Sequence, residues 1–142
     1  MTQPPQATLL RGIRVLDLSR VMAGPYCASM LADAGARVIK VEPPEGDRTR
    51  AYPPFHHGEV DGNKSLNFWY YNTNKKSVTL DLSTTEGQKI FKDLASKTDV
   101  LVDAFPPGHL DGLSAGYSDL SKLNPSLIMA AISPFGQKGP YN

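Results

Sequence analysis

Arg11–Glu42, RGIRVLDLSRVMAGPYCASMLADAGARVIKVE, is the stretch from which the fold is read. Ile13, Val15, Leu16 and Leu18 form an apolar run too short for a globular helix and rich in branched side chains, the pattern of a buried strand. Ser19 to Gly24 then turn the chain. Pro25 suits a first helical residue, where a missing N–H costs nothing. Cys27, Met30, Leu31 and Ala34 recur at helical spacing, Gly35 supplies a stop that tolerates positive φ, and Arg37 to Glu42 return as a second strand. Together these make one parallel βαβ unit. Its working part is the loop Arg20-Val21-Met22-Ala23-Gly24. The backbone N–H groups of that loop face the carboxyl end of the sheet, where anionic or nucleotide-like ligands dock.

The loop lacks the G-x-G-x-x-G pattern, so NAD is not expected as a cofactor. Glu42 stands where a ribose-binding acid would sit. Without the glycines it reads as a strand-end carboxylate facing solvent.

Downstream, Pro43 to Lys76 is a long excursion whose prolines exclude a regular element at its start. Leu66, Phe68, Trp69 and Tyr70 suggest a short aromatic-rich helix within it. Asp47, Arg48 and Arg50 could bind phosphate, but solvated loop charge is the simpler reading. His56-His57 have no partner at recognised ligand spacing, so no metal is expected. Ser77 to Leu82 alternates as a half-buried edge strand. Ser83-Thr84-Thr85-Glu86 is a capping box with Ser83 as N-cap, and the helix behind it carries Ile90, Phe91, Leu94 and Ala95 on one face. Asp99 to Phe105 reads as a fourth strand, Asp119 to Leu123 as one or two helical turns, and Leu127 to Ile132 as a fifth strand.

Strands alternating with helices predict an α/β fold, a Rossmann-like doubly wound parallel sheet in the order 3-2-1-4-5. Its ligand crevice falls between strands 1 and 4, lined by Val21 to Gly24 and by Ala104 to Phe105. The last strand is apolar on both faces although it sits at an edge, and it needs cover. With the turn-rich Gly136–Pro140 after it, the expectation is an N-terminal fragment of a longer chain. Residues 1–9 are expected to form a disordered tail and residues 10–142 the domain.

Lysine and arginine number 15 and aspartate and glutamate 14, a net charge of +1, which gives no electrostatic footing for nucleic acid or an anionic membrane. No apolar run approaches the roughly 20 residues that span a bilayer. Met1 to Leu10 has no signal-peptide pattern, so a cytoplasmic location is expected. The single cysteine, Cys27, excludes an internal disulfide and reads as a buried structural thiol.

Four segments in register resemble the start of family III CoA-transferases, the CaiB–BaiF family, which includes formyl-CoA transferase and the α-methylacyl-CoA racemases. They are Leu10-x-Gly-Ile-Arg-Val-Leu-Asp-Leu-Ser19 with Val21-Met-Ala-Gly-Pro-Tyr26, Leu31-Ala-Asp-x-Gly-Ala-x-Val-Ile-Lys-Val-Glu42, Asn72-x-Asn-Lys-Lys-Ser-Val-x-Leu-Asp-Leu82, and Ala131-Ile-Ser-Pro-Phe-Gly-Gln-x-Gly-Pro-Tyr141. The resemblance implies a domain that holds coenzyme A, within a longer chain forming interlinked homodimers that act on an acyl-CoA and a carboxylic acid. It implies an aspartate nucleophile some two dozen residues beyond the Gly-Pro-Tyr turn, outside residues 1–142, so these residues alone are expected to be inactive. Racemisation of an acyl-CoA and a non-catalytic module are the alternatives. Position by position, the CoA-contacting loop corresponds to Val21, Met22 and Ala23, and the strand-end contacts to Leu80 and Phe105. Three departures stand out. Pro43 replaces a frequent arginine, Ala104 the asparagine of an Asn-Phe-Arg-Pro-Gly turn, and Gly112 a basic residue. Each removes a polar or cationic partner for the nucleotide end of CoA, worth roughly 1.5–3 kcal/mol where the contact is charge-assisted.

Overall fold

The computed structural model describes residues 9–140. The expected tail therefore lies, apart from Leu9, outside the described residues, as does Tyr141. The strands are β1 (Arg14–Asp17), β2 (Arg37–Glu42), β3 (Lys76–Thr79), β4 (Val100–Asp103) and β5 (Ile128–Ala131). The helices are α1 (Ala23–Asp33), α2 (Leu66–Asn72), α3 (Thr85–Ser96), α4 (His109–Gly112) and α5 (Tyr117–Leu123). All four strand pairings are parallel, in the order β3-β2-β1-β4-β5 predicted from the sequence.

The two faces of the sheet follow from the period of two. Val15, Val38 and Val102 pack beneath Ala28 and Ala32 of α1. Their neighbours Leu16, Val41 and Leu101 point the other way, onto Phe91 and Ala95 of α3, Leu110 of α4 and Leu120 of α5. The parallel crossovers thus cover the sheet on both sides, and the strand C-termini are left to carry a site.

Local differences from the sequence reading have identifiable causes. α1 begins at Ala23 with Met22 as N-cap, so Pro25 is its third residue, where an N–H would still lack an intrahelical partner. The buried face of α1 is Ala28, Ser29 and Ala32, while Met30 is exposed and Cys27 only partly covered. Small residues let the helix lie close on the sheet, which turns the larger side chains outward. Thr84, not Ser83, caps α3, its hydroxyl accepting from the Gly87 N–H at 3.0 Å. Ser83 instead donates to Asp81 Oδ1 at 2.6 Å. β3 stops at Thr79 and its four residues are all exposed, as the outermost strand with only β2 beside it. The short α4 had no periodic signal in the sequence.

Candidate functional site

The C-terminal ends of β1 to β4 surround a crevice of about 200 Å³. Leu18 and Arg20 follow β1, Val41 and Glu42 end β2 with Pro43 just beyond, Leu80 to Ser83 follow β3, and Phe105, His109 and Leu113 follow β4. Its floor belongs to the face that packs on α3. The Phe105 ring is the centre of its polar side: the Arg20 guanidinium lies 5.0 Å from the ring centroid, and His109 stacks on it at 4.5 Å with 28° between planes. Asp103 fixes this turn by accepting the Phe105 N–H at 2.8 Å. Burial pushes the Asp103 carboxyl above the usual carboxylate range. The same residue borders a second cavity of about 620 Å³, shared with Leu110, Leu127 and Met129 along β5.

Of the residues singled out in the sequence, Leu80 and Phe105 line the crevice and Pro43 joins them. Val21, Met22 and Ala23 do not line it, and Ala104 borders a neighbouring cavity of about 310 Å³ beyond Phe105. The crevice is therefore shifted from the expected place between β1 and β4 toward β2 and β3. The cause is the direction of the crossover. After Arg20 the chain turns toward α1, on the opposite face, so Val21 and Met22 stand exposed outside the crevice.

Beneath that loop lies an array of buried charge, which corrects three readings from the sequence. Lys40, in the middle of β2, points to the α1 face beside Asp17 of β1. Its Nζ lies 2.8 Å from Asp47 Oδ2 and donates to the Ser19 carbonyl at 2.9 Å. Asp47 Oδ1 accepts from the Thr49 N–H and hydroxyl, while Oδ2 meets Lys40 as an ion pair and has no better-angled partner among the described residues. Burial would raise Asp47, but Lys40 and Thr49 outweigh it and hold the carboxyl below its ordinary value. Asp47 is thus neither a phosphate ligand nor solvated loop charge.

Glu42 is likewise buried rather than facing solvent. Arg50 grips it through two bonds, Nε to Oε2 at 2.6 Å and Nη2 to Oε1 at 2.7 Å, and the Asp47 N–H donates to Oε2 at 2.9 Å. Ser77 Oγ donates to Oε1. Burial pulls upward, but these donors outweigh it and hold the Glu42 carboxyl at about 2. Arg50 also lies 3.8 Å from the Phe68 ring centroid, so it too is committed to structure.

Lys75 completes the array. Its Nζ contacts Asp17 Oδ2 at 2.8 Å, the Pro25 carbonyl at 2.8 Å and Asn72 Oδ1 at 3.0 Å. Burial lowers its pKa more than Asp17 raises it. Neither lysine was found from the sequence, although a lysine inside a strand covered on both faces is itself a signal that a buried carboxylate must answer it. His109 was missed as well, and Arg20, though part of the loop singled out in the sequence, was given no contact of its own; only their nearness to Phe105 in space marks the pair. No group of three or more His, Cys, Asp or Glu among the described residues could hold a metal ion. No helix among them is long and apolar enough to cross a membrane.

Residues 10–142 match the model of CoA-transferase family III. The chain is 44% identical over 130 residues to acetyl-CoA:oxalate CoA-transferase of Acetobacter aceti, covering 91% of this chain and 32% of that protein. It is 43% identical over 142 residues to succinyl-CoA–D-citramalate CoA-transferase of Chloroflexus aurantiacus, covering 98% of this chain and 33% of that protein. The crystal structure of a CAIB/BAIF family protein from Brucella suis superposes with a TM-score of 0.87 at 40% identity, over 96% of this chain and 36% of that one. The chain thus spans about a third of the length of these relatives.

Proposed function

The chain belongs to CoA-transferase family III, and from that membership we propose that it forms the part of an acyl-CoA:carboxylate CoA-transferase that holds coenzyme A. The observation that carries the reading is the crevice at the strand C-termini, with an apolar floor of Leu18, Val41 and Leu80 and a rim formed by Arg20, Phe105 and His109. The nucleotide end of CoA needs both kinds of surface, a flat apolar one for the base and cations for phosphate. Pro43 and Gly112 supply no charge, but Arg20 and His109 bring cationic or protonatable groups to the same rim. Val21, Met22 and Ala23 meet the remainder of the cofactor along the outer loop.

In the proposed reaction an aspartate outside these 142 residues attacks the acyl-CoA carbonyl. The C–S bond breaks, the CoA thiolate leaves, and an aspartyl–acyl mixed anhydride forms. The thiolate then attacks the aspartyl carbonyl, releases the acid and leaves an aspartyl-CoA thioester, which the acceptor carboxylate opens by the reverse sequence. A carboxylate is a weak nucleophile and an anhydride hydrolyses, so the steps need a site that excludes water. The role of the present residues is to hold the thiol carrier in register. The relatives' names favour transfer over racemisation, and a homodimer is the proposed assembly. Transfer of labelled CoA from an acyl-CoA to a free acid tests this. The protein as encoded should turn over and residues 1–142 alone should not; turnover by residues 1–142 alone would place the nucleophile among them and overturn the division of labour.

A further inference from the structure

The geometry points to the buried chain Lys75–Asp17–Ser19–Lys40 as a positioning device, which holds the loop Arg20–Gly24 in a shape that Val21 resists. Val21 has φ +68°, in the left-handed region that a β-branched residue avoids. Val21 is 46% exposed and Met22 56%, so close packing around them does not impose this shape.

What imposes it lies at the two ends of the loop. Ser19 is wholly buried. Its N–H donates to Asp17 Oδ1 at 3.0 Å, its hydroxyl donates to the same oxygen, and its carbonyl accepts from Lys40 Nζ at 2.9 Å. At the far end the Pro25 carbonyl accepts from Lys75 Nζ at 2.8 Å, and the same ammonium is paired with Asp17 Oδ2 at 2.8 Å. One carboxylate therefore ties both ends. The ends also abut, because a Cβ on Gly24 would lie 2.1 Å from Ser19 Cβ. With every polar group of Ser19 engaged and Pro25 tethered, the strain falls on the exposed residue between them, as it does where a loop is preorganised for a ligand. Neither lysine lines the crevice, so each acts through the loop.

The functional half of the inference rests on the proposal that Val21 to Ala23 contact CoA. The test combines amide hydrogen exchange over residues 19–26 with CoA titration of the protein as encoded, carrying Lys75→Met, Val21→Gly or both. Lys75→Met is expected to deprotect the loop and weaken CoA roughly tenfold. Adding Val21→Gly, for which positive φ is free, should restore part of both. A purely structural lysine would lower global stability while leaving loop exchange and the affinity of folded protein unchanged. That result, or strictly additive effects of the two substitutions, overturns the proposal. Should Lys75→Met fail to fold, Asp17→Asn/Lys75→Met leaves no unpaired buried charge and is read in the same way. Independently, Val21→Gly should be more stable than Val21→Ala, the reverse of the order at ordinary positions; Ala more stable than Gly overturns the strain argument. Parent protein that binds no CoA would remove the CoA reading, while the exchange and stability arms still decide whether the array positions the loop.

Discussion

Lys40 Nζ stands 2.8 Å from Asp47 Oδ2, and both side chains are 1% exposed. The lysine belongs to the second strand and the aspartate to the excursion that leaves it, so one buried ion pair fastens the irregular segment to the sheet. Removing one partner of such a pair costs about 3–5 kcal/mol, because the other charge is left buried alone, whereas removing both costs far less. Lys40→Met and Asp47→Asn should each destabilise on that scale in urea unfolding, and the double variant should be more stable than either. Additive losses would contradict the pairing.

Acid should act through the neighbouring carboxylates. Glu42 is held at about 2 against an ordinary 4.5. A depressed acid contributes its stability in full above the unfolded value and loses it as pH falls toward the folded one. Stability should therefore hold down to about pH 5 and fall between about 4.5 and 2, by roughly 3 kcal/mol at most from this group. Asp47, also depressed by Lys40 and Thr49, acts in the same direction. Unfolding free energies measured from pH 7 to 3 should show the fall in the parent and a smaller one in Glu42→Gln. A flat profile, or an unchanged one in the variant, would contradict the assignment.

Gly24 should not accept a side chain. Its Cβ would meet Ser19 Cβ at 2.1 Å and Ser19 Oγ at 2.4 Å, and Ser19 is fixed by three hydrogen bonds. Gly24→Ala should destabilise by about 1–3 kcal/mol or more, the range for overpacking. Ser19→Ala should not rescue it, because the closest clash is with Cβ. Rescue would show that the loop has room to move.

The fifth strand should drive association. Ile128 is 63% exposed on an edge strand whose outer side has no partner among the described residues. Sedimentation of residues 1–142 should show dimers or larger species, and Ile128→Lys should shift them toward monomer. A parent that stays monomeric at high concentration would contradict this.

The sheet was legible because its information is local. Val15, Leu16, Val38, Val41 and Leu101 alternate across a period of two, and Pro25, Gly35 and Ser83 mark helix ends within a residue or two of where they fall. Charge was only half legible: a lysine inside a strand covered on both faces, such as Lys40, calls for a buried carboxylate, but nothing local in the sequence says that the carboxylate is Asp47. Lys75 and Asp17 are 58 residues apart, and only the crossover of α2 brings them together. The crevice was half legible: Leu80 and Phe105 follow from the family motif, while Arg20 and His109 required the fold to place them against the same ring.

The central claim is that the crevice around Phe105 takes the nucleotide end of coenzyme A. Calorimetric titration of the protein as encoded with CoA and with NAD, for the parent and for Phe105→Ala, tests it most directly. CoA should bind and NAD should not, and loss of the ring that Arg20 and His109 pack against should weaken CoA roughly tenfold, about 1.4 kcal/mol. Binding of NAD in preference to CoA, or CoA affinity untouched by Phe105→Ala, would contradict the account.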